Sequence, residues 1–186
     1  MPVRACADLP AFALQLLMAA HPDWKALPVA VVDADEPTGT LLLVNAAAWR
    51  SRLRPGMRYA AALSLEGRLR AGVVGRGQVE AAVAAVVDAL RLHTPHVEPS
   101  TDEAGVFWLD AGGLDRLYAG PEAWARAVVR AVAACGFHGR VAVGFTRFAT
   151  FALAHTLEAG PRGANRRVLV CESEEEERRL LRDVAL

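Results

Sequence analysis

Three carboxylates placed beside predicted strands constrain this chain more than any other feature. Asp102 and Glu103 form an acidic pair between an extended segment, residues 97–101, and an apolar segment, residues 105–110. Asp8 ends the first apolar segment of the chain. If these elements lie side by side in one sheet, their carboxylates share one face and can hold two divalent metal ions for phosphoryl transfer. An isolated Asp-Glu pair is common at protein surfaces, whereas its combination with Asp8 is far more specific.

The order of the predicted elements indicates a ferredoxin-like sheet. From residue 78 onward, the hydrophobic pattern predicts a helix, two strands, a helix and a strand. With the first strand in front, this is the βαββαβ order of the split βαβ fold. The predicted strands are residues 3–8, 28–33, 40–45, 69–74, 97–101, 105–110, 140–145 and 167–170, and the predicted helices are residues 11–20, 46–53, 58–65, 78–92, 121–135, 147–158 and 174–182. We therefore predict an α/β (α+β) fold with a small subdomain inserted after the first strand.

Two short segments have a less regular pattern. Gly75, Arg76 and Gly77 are interpreted as a break before the helix that starts at residue 78. An acidic run covers residues 172–177 and continues into a basic pair. Such a run is typical of a solvated helix start, which the helix dipole favours.

Composition and charge exclude several classes of protein. A chain of 186 residues that is 53% hydrophobic can form one packed domain, or one domain with an insertion. Its formal net charge of zero argues against strong binding to nucleic acid. Cys6, Cys135 and Cys171 are widely spaced in apolar runs, which is typical of buried free thiols. We find no signal peptide and no apolar run of about 20 residues, so a cytoplasmic location is expected.

Several motifs occur in an order known from one family. The first strand ends as Arg-Ala-Cys-Ala-Asp at Asp8, and Ser-Thr-Asp-Glu-Ala covers residues 100–104. Arg-Pro-Gly-Met lies at residues 54–57, and Val-Gly-Phe-Thr lies at residues 143–146. Over essentially the whole chain, these motifs resemble the Y-family translesion DNA polymerases. The resemblance implies a palm of residues 1–11 and 74–171, fingers of residues 12–73, and a helix in residues 172–186 that leads to an absent thumb.

The chain departs from the family where the incoming nucleotide would be held. The family's aromatic gate for the sugar corresponds to Ala13, and the fingers Tyr and Arg that hold the triphosphate correspond to Ala46 and Trp49. The family's phosphate-binding Lys corresponds to Ala149, with Arg147 close by but off register. At about 1.5–3 kcal/mol for each charge-assisted contact, two or three losses weaken nucleotide binding by about a thousandfold or more. The carboxylates are retained, whereas the contacts to the nucleotide are lost.

This pattern is similar to the ImuB group of polymerase-like proteins. The runs at residues 95–100 and 105–110, and Asp-Leu-Pro at residues 8–10, look more like that group than like active polymerases. The resemblance implies a non-catalytic scaffold in bacterial SOS mutagenesis that recruits an error-prone DnaE-type polymerase, a RecA-like ImuA partner and the sliding clamp, and that is nucleoid-associated when recruited. Asp8, Asp102 and Glu103 would then be a vestigial triad that needs no cofactor, although it could bind Mg²⁺.

The resemblance also bears on the limits of the chain and on its surface. Members of the group continue into a thumb, a little-finger domain and a tail that binds the clamp, so we expect this chain to be a palm-and-fingers fragment. Trp49 and Leu53 lie one turn apart on a predicted exposed helix, beside Arg50. Aromatic and arginine side chains are enriched at interface hot spots, so these residues are candidates for binding a partner.

Three alternatives remain open from the sequence. The chain could be a weakly active translesion polymerase that uses two Mg²⁺ at Asp8, Asp102 and Glu103. It could instead be a nucleotide cyclase-like palm, because those domains share the βαββαβ order and paired acids. In the third alternative it is a ferredoxin-like interaction domain, in which Asp8 only caps a helix and the acidic pair lies in a solvated turn.

Overall fold

The computed structural model describes residues 4–113, 117–157 and 167–184. The chain divides into two compact units, one of residues 1–10 with 83–186 and the other of residues 11–82. The strands are β1 (Arg4–Asp8), β2 (Val29–Val32), β3 (Leu41–Val44), β4 (Arg70–Gly72), β5 (Val97–Pro99), β6 (Val106–Asp110), β7 (Arg140–Gly144) and β8 (Val168–Val170). The helices are α1 (Phe12–Ala20), α2 (Ala46–Arg50), α3 (Tyr59–Leu65), α4 (Arg76–Arg91), α5 (Pro121–Ala134), α6 (Arg147–Thr156) and α7 (Glu174–Arg182), with a short 3₁₀ turn at Pro22–Trp24.

The first unit is built on a five-stranded sheet in the order β5-β6-β1-β7-β8. β1 lies in the centre and pairs antiparallel with both β6 and β7, whereas β8 runs parallel to β7 at one edge. All residues of β1 after Arg4 are buried, which explains its continuous apolar sequence before Asp8. The predicted α/β fold and βαββαβ order are confirmed, and β8 extends the sheet by one strand.

One face of this sheet packs against α6 and α7. Because side chains alternate along a strand, Cys6 and Asp8 share a face of β1. Cys6 packs in a core that includes Leu153 and Ala154 of α6, with Leu180 of α7 against it. This packing places α6 beside Asp8.

The second unit has a three-stranded sheet in the order β3-β2-β4, in which β3 is antiparallel and β4 is parallel to β2. β2 is buried along its whole length because α1 covers one face and a core around Leu41 and Leu53 fills the other. Asn45 fixes the start of α2, since its Oδ1 accepts hydrogen bonds from the backbone N–H groups of Ala48 and Val29.

Two local predictions were wrong. Arg76 and Gly77 do not form a break but lie in the first turn of α4, where the carbonyl of Gly75 accepts the N–H groups of Gln78 and Val79. The division between the two units falls inside this helix, after residue 82. The limits predicted for the palm, residues 1–11 and 74–171, and for the fingers, residues 12–73, stay a prediction.

Helix α2 is also shorter than the pattern predicted, because it ends at Arg50. Arg52 then takes a left-handed backbone conformation with φ of 65°, which breaks the helical path. In the described part of the chain, no helix combines the length and the apolar character that a bilayer crossing requires.

Candidate functional site

Asp8 lies at the end of the central strand and is buried in a charged contact. It is opposite Val106 of β6 and Arg140 of β7, and it is only 1% exposed. Its Oδ2 lies 2.6 Å from Nη2 of Arg140, which donates a charge-assisted hydrogen bond to it. The imidazole Nδ1 of His155, on α6, lies 3.8 Å from the same oxygen. The negative charge of Asp8 is therefore already neutralised inside the fold.

Arg140 is held on both sides. Its side chain is 12% exposed, and its Nη1 donates to the backbone carbonyl of Leu157, just after the last residue of α6. A helix C-terminus carries partial negative charge, so the guanidinium lies between two negative groups. Among the described residues, Nε of Arg140 is buried without a hydrogen-bond partner. Arg140 was not predicted as a site residue from the sequence, where it is recognisable only as a charged residue at the start of an otherwise apolar strand.

Asp102 and Glu103 lie in the connection between β5 and β6, where both are exposed. Their backbone N–H groups each donate to Oγ of Ser100 at 3.2 Å. The carbonyl of Gly105 accepts the N–H of Leu9 at 2.9 Å, which ties this connection to the end of β1. The serine of the Ser-Thr-Asp-Glu-Ala motif thus shapes the loop that presents the two acids.

The residues present do not fit a two-metal centre as they are arranged in this structure. Burial raises the pKa of the Cys6 thiol, and the negative charges of Asp8 and Glu103 raise it further. The described ranges contain no group of three or more His, Cys, Asp and Glu side chains that could hold a metal ion. The predicted gathering of Asp8, Asp102 and Glu103 around shared metal ions therefore stays a prediction.

The positions expected to contact a nucleotide lie in different surroundings. Ala13 is half-buried on α1, Ala46 is exposed at the start of α2, and Ala149 is buried on α6. Trp49 is 52% exposed, and the guanidinium of Arg54 stacks over its ring at 3.9 Å from the centroid. Of these four side chains, three are methyl groups and one is a neutral indole, so none carries a charge towards phosphate.

The prediction that Trp49, Leu53 and Arg50 form an exposed partner-binding stripe was wrong for Leu53. Leu53 is fully buried in the core of the second unit, because the backbone turns inward after Arg52. Arg50 remains exposed, and its Nε donates to the carbonyl of Ala46. Trp49 and Arg50 are therefore the surface members of this set.

The cation nearest the expected lysine position is already paired. Both terminal nitrogens of Arg147, at the start of α6, donate to the carboxylate of Glu98 at 2.7 and 2.9 Å. The same guanidinium lies over the ring of Trp108, 4.3 Å from its centroid. The hydrogen bonds from Arg147 hold the pKa of Glu98 below its usual range. Arg147 is thus fixed by the protein's own acid.

A further acid that the sequence analysis missed lies beneath the strand-to-helix junction. Glu177 of α7 is 3% exposed, and its Oε1 accepts the N–H groups of Phe145 and Thr146 at 2.7 and 3.2 Å. Its Oε2 accepts the hydroxyl of Thr146 at 3.2 Å. The prediction that the whole acidic run is solvated was therefore wrong for this residue, which anchors α7 to the start of α6.

Comparison with known proteins gives a family and a set of similar folds. The model of the IMS (impB/mucB/samB) family matches residues 7–152. An insertion ternary complex of Dbh DNA polymerase has 16% sequence identity and a TM-score of 0.74, and the match covers 94% of this chain and 49% of that one. A post-insertion binary complex of Dbh DNA polymerase has 16% identity and a TM-score of 0.78, over 96% and 50%.

A third similar structure is DinB from Sulfolobus solfataricus, with 16% identity and a TM-score of 0.72 over 91% of this chain and 48% of that one. The chain therefore spans about half the length of the solved structures it matches. At this level of identity the likeness shows the fold alone. No match was found among curated proteins.

Proposed function

Because the chain belongs to the impB/mucB/samB family, with its Y-family polymerase-like fold, we propose that it acts in translesion synthesis as a non-catalytic scaffold. In this role it links an error-prone DnaE-type polymerase, a RecA-like ImuA-type partner and the sliding clamp during SOS mutagenesis. Two of the similar solved structures are of Dbh DNA polymerase. In this proposal the chain retains the polymerase fold but does not catalyse nucleotide transfer.

The observation that carries the proposal is that the four positions expected to contact the nucleotide, Ala13, Ala46, Trp49 and Ala149, carry no charge. Ala46 and Ala149 offer only methyl groups, and Arg147 is committed to Glu98. A triphosphate needs positively charged donors both to bind and to be aligned for in-line attack. Without them, a nucleotide that reaches this chain is neither held nor oriented.

Trp49 supports a role in binding other proteins. An indole that is 52% exposed, with Arg54 stacked on it and Arg50 beside it, has the composition of an interface hot spot. The stacked pair also has low conformational freedom, which reduces the entropy lost on binding. We assign this surface to a protein partner because the chain has no net charge to attract DNA.

The test is nucleotide binding and primer extension. We expect calorimetric titration of the chain with a deoxynucleoside triphosphate and Mg²⁺ to give no measurable heat of binding. We also expect no template-dependent extension of a primer, with an active Y-family polymerase as the positive control. Micromolar nucleotide binding would contradict the scaffold role.

The alternative is a weakly active translesion polymerase that uses two Mg²⁺ at Asp8, Asp102 and Glu103. The presence of all three acids at the motif positions favours it. Primer extension that disappears in Asp102→Ala but persists in Asp88→Ala would establish this alternative. Asp88 is a suitable control because it is an exposed acid on α4, paired with Arg91.

A further inference from the structure

We propose that Arg140 is the permanent counter-cation of Asp8 and replaces a divalent metal ion at this carboxylate. The proposal deepens the non-catalytic function proposed above and rests on it for its biological meaning. Whether a cation occupies the Asp8 carboxylate can be measured without nucleotide, DNA or partner proteins.

Asp8 is buried and therefore requires a counter-charge. A carboxylate that is 1% exposed has lost nearly all of its hydration, so it must be neutralised by a charged partner or by a proton. Arg140 supplies the charge at 2.6 Å. The β1–β7 register places the two residues directly opposite each other, on one face of the sheet. The strand register therefore brings the side chains of Asp8 and Arg140 next to each other.

Arg140 is anchored by two contacts. Its guanidinium contacts Asp8 through Nη2 and the carbonyl of Leu157 through Nη1. A planar guanidinium can serve two acceptors in different directions while it stays charged at every physiological pH. The second contact, made by a different nitrogen at the end of α6, holds the guanidinium beside Asp8.

A metal ion at Asp8 would compete with Arg140 for the carboxylate. A divalent ion at Oδ2 of Asp8 would meet the guanidinium that already lies at that oxygen, and the two positive groups would repel each other. Nδ1 of His155 lies 3.8 Å from the same oxygen and further crowds it. Asp102 and Glu103, which would have to complete the ligand set, are exposed on their loop. The arrangement therefore selects against a metal ion at Asp8.

The experiment measures Mn²⁺ binding by the wild type, Asp8→Asn, Arg140→Met and the double variant. Electron paramagnetic resonance of free Mn²⁺ counts the bound ions, and the difference between a protein and its Asp8→Asn counterpart isolates binding at Asp8. We expect no such difference in the wild type at millimolar Mn²⁺. We expect Arg140→Met to bind Mn²⁺ at least about tenfold more tightly than the wild type, and the double variant to lose the gain.

Thermal unfolding with and without Mn²⁺ provides a second measurement, because a ligand that binds only the folded state raises the melting temperature. We expect Mn²⁺ to raise the melting temperature of Arg140→Met alone. Asp8-dependent binding in the wild type overturns the proposal, as does a folded Arg140→Met that binds no more Mn²⁺ than the wild type. If Arg140→Met fails to fold, the comparison of wild type with Asp8→Asn still decides. Failure of the scaffold role would appear instead as primer extension or absent partner binding.

Discussion

The side chain of Arg147 contacts an acid and an aromatic ring at once, at the first residue of α6. Its two terminal nitrogens donate to Glu98 of β5, and its plane covers Trp108 of β6. A lysine could not combine two parallel hydrogen bonds to Glu98 with flat stacking on Trp108, because its ammonium group is a point charge without a planar face. The arginine thus joins the edge of the sheet to the helix, and its charge is used within the protein.

We predict that Arg147→Ala raises the pKa of Glu98 towards the ordinary value for a glutamate. In the wild type the pKa is lowered chiefly by hydrogen bonds from Arg147. A lowered pKa means that Glu98 favours the folded state above its unfolded pKa and loses this effect as the pH falls through its folded pKa. Removing Arg147 should abolish the loss of folded-state stability that protonation of Glu98 causes at low pH.

Carboxyl ¹³C NMR titration measures the change at Glu98. Glu66 is the control, since its pKa is lowered by Arg68 and Ser51 and should not change in Arg147→Ala. A Glu98 pKa that is the same in both proteins would show that the pair does not persist in solution.

At the scale of single residues, the sequence identified the acids but not their partners. Asp8 is recognisable because it ends an apolar strand, which is local information. Arg140 is 132 residues away and meets Asp8 only through the pairing of β1 with β7. The burial of Leu53 was missed for a related reason, because the left-handed turn at Arg52 is set by the core below it and not by helical periodicity. Long-range register and local backbone exceptions are what a single sequence specifies least directly.

At the scale of elements, the junction of β7 with α6 depends on a side chain from α7. Glu177 accepts hydrogen bonds from Phe145 and Thr146, the first residues after β7. Gly144 leaves room for this carboxylate, because a Cβ at that position would lie 2.3 Å from Oε1 of Glu177. The glycine of the Val-Gly-Phe-Thr motif is thus explained by close approach of an acid.

We predict that Gly144→Ala and Glu177→Ala each lower the free energy of unfolding by about 1–3 kcal/mol, the cost of leaving buried hydrogen-bonding groups unsatisfied. The two effects should add only in part, because removing Glu177 removes the closest contact of the added methyl group and leaves the milder one with Cγ2 of Thr150 at 3.1 Å. Urea unfolding of the single and double variants measures this.

Gly77→Ala is the matched control for the change at Gly144. Gly77 lies in α4 with nothing within 4 Å of an added Cβ. It should be neutral or stabilising by about 0.5–1 kcal/mol, because alanine favours a helix. Full additivity of Gly144→Ala and Glu177→Ala would contradict the proposed contact.

Most elements could be predicted because their signals are local. Apolar runs gave the strands of the first sheet, and Pro121 with Gly136 bracketed α5. The predicted break at residues 75–77 failed because glycine in the first turn of a helix costs little when its N–H needs no helical partner. The side chain of Gln78 also accepts the N–H of Gly75 at 2.8 Å, which caps the helix start.

At the scale of the whole molecule, a neutral chain has little general attraction for a polyanion. Its formal net charge is zero, so release of counterions contributes little affinity for a duplex. Many of the exposed arginines are also paired with acids one turn away, as Arg76 is with Glu80 and Arg126 is with Glu122. Recognition by this chain should therefore depend on specific contacts more than on charge.

We predict that Trp49→Ala weakens binding to the proposed RecA-like or DnaE-type partner by about 2 kcal/mol and leaves the melting temperature nearly unchanged. The reason is that Trp49 is half exposed, so few core contacts are lost. Calorimetric titration with each partner and thermal unfolding of the free chain measure the two effects.

Leu53→Ala, on the same segment, should instead lower the free energy of unfolding by about 2–5 kcal/mol, as expected for a buried leucine. A strong loss of stability in Trp49→Ala would place the indole in the core and the interface elsewhere. Tight binding of primer–template DNA by the wild type at physiological salt would contradict the preference for protein.

The Asp8–Arg140 pair also restricts how this protein can evolve. Losing either partner strands the other as an uncompensated buried charge, which costs about 3–5 kcal/mol, a large fraction of the stability of a typical domain. Replacing both by apolar side chains can be neutral, but only when the second change follows the first. Each single substitution in the pair therefore passes through a destabilised intermediate. A descendant lineage would keep both charges or exchange both, and the acid would be retained long after any demand for chemistry had ended.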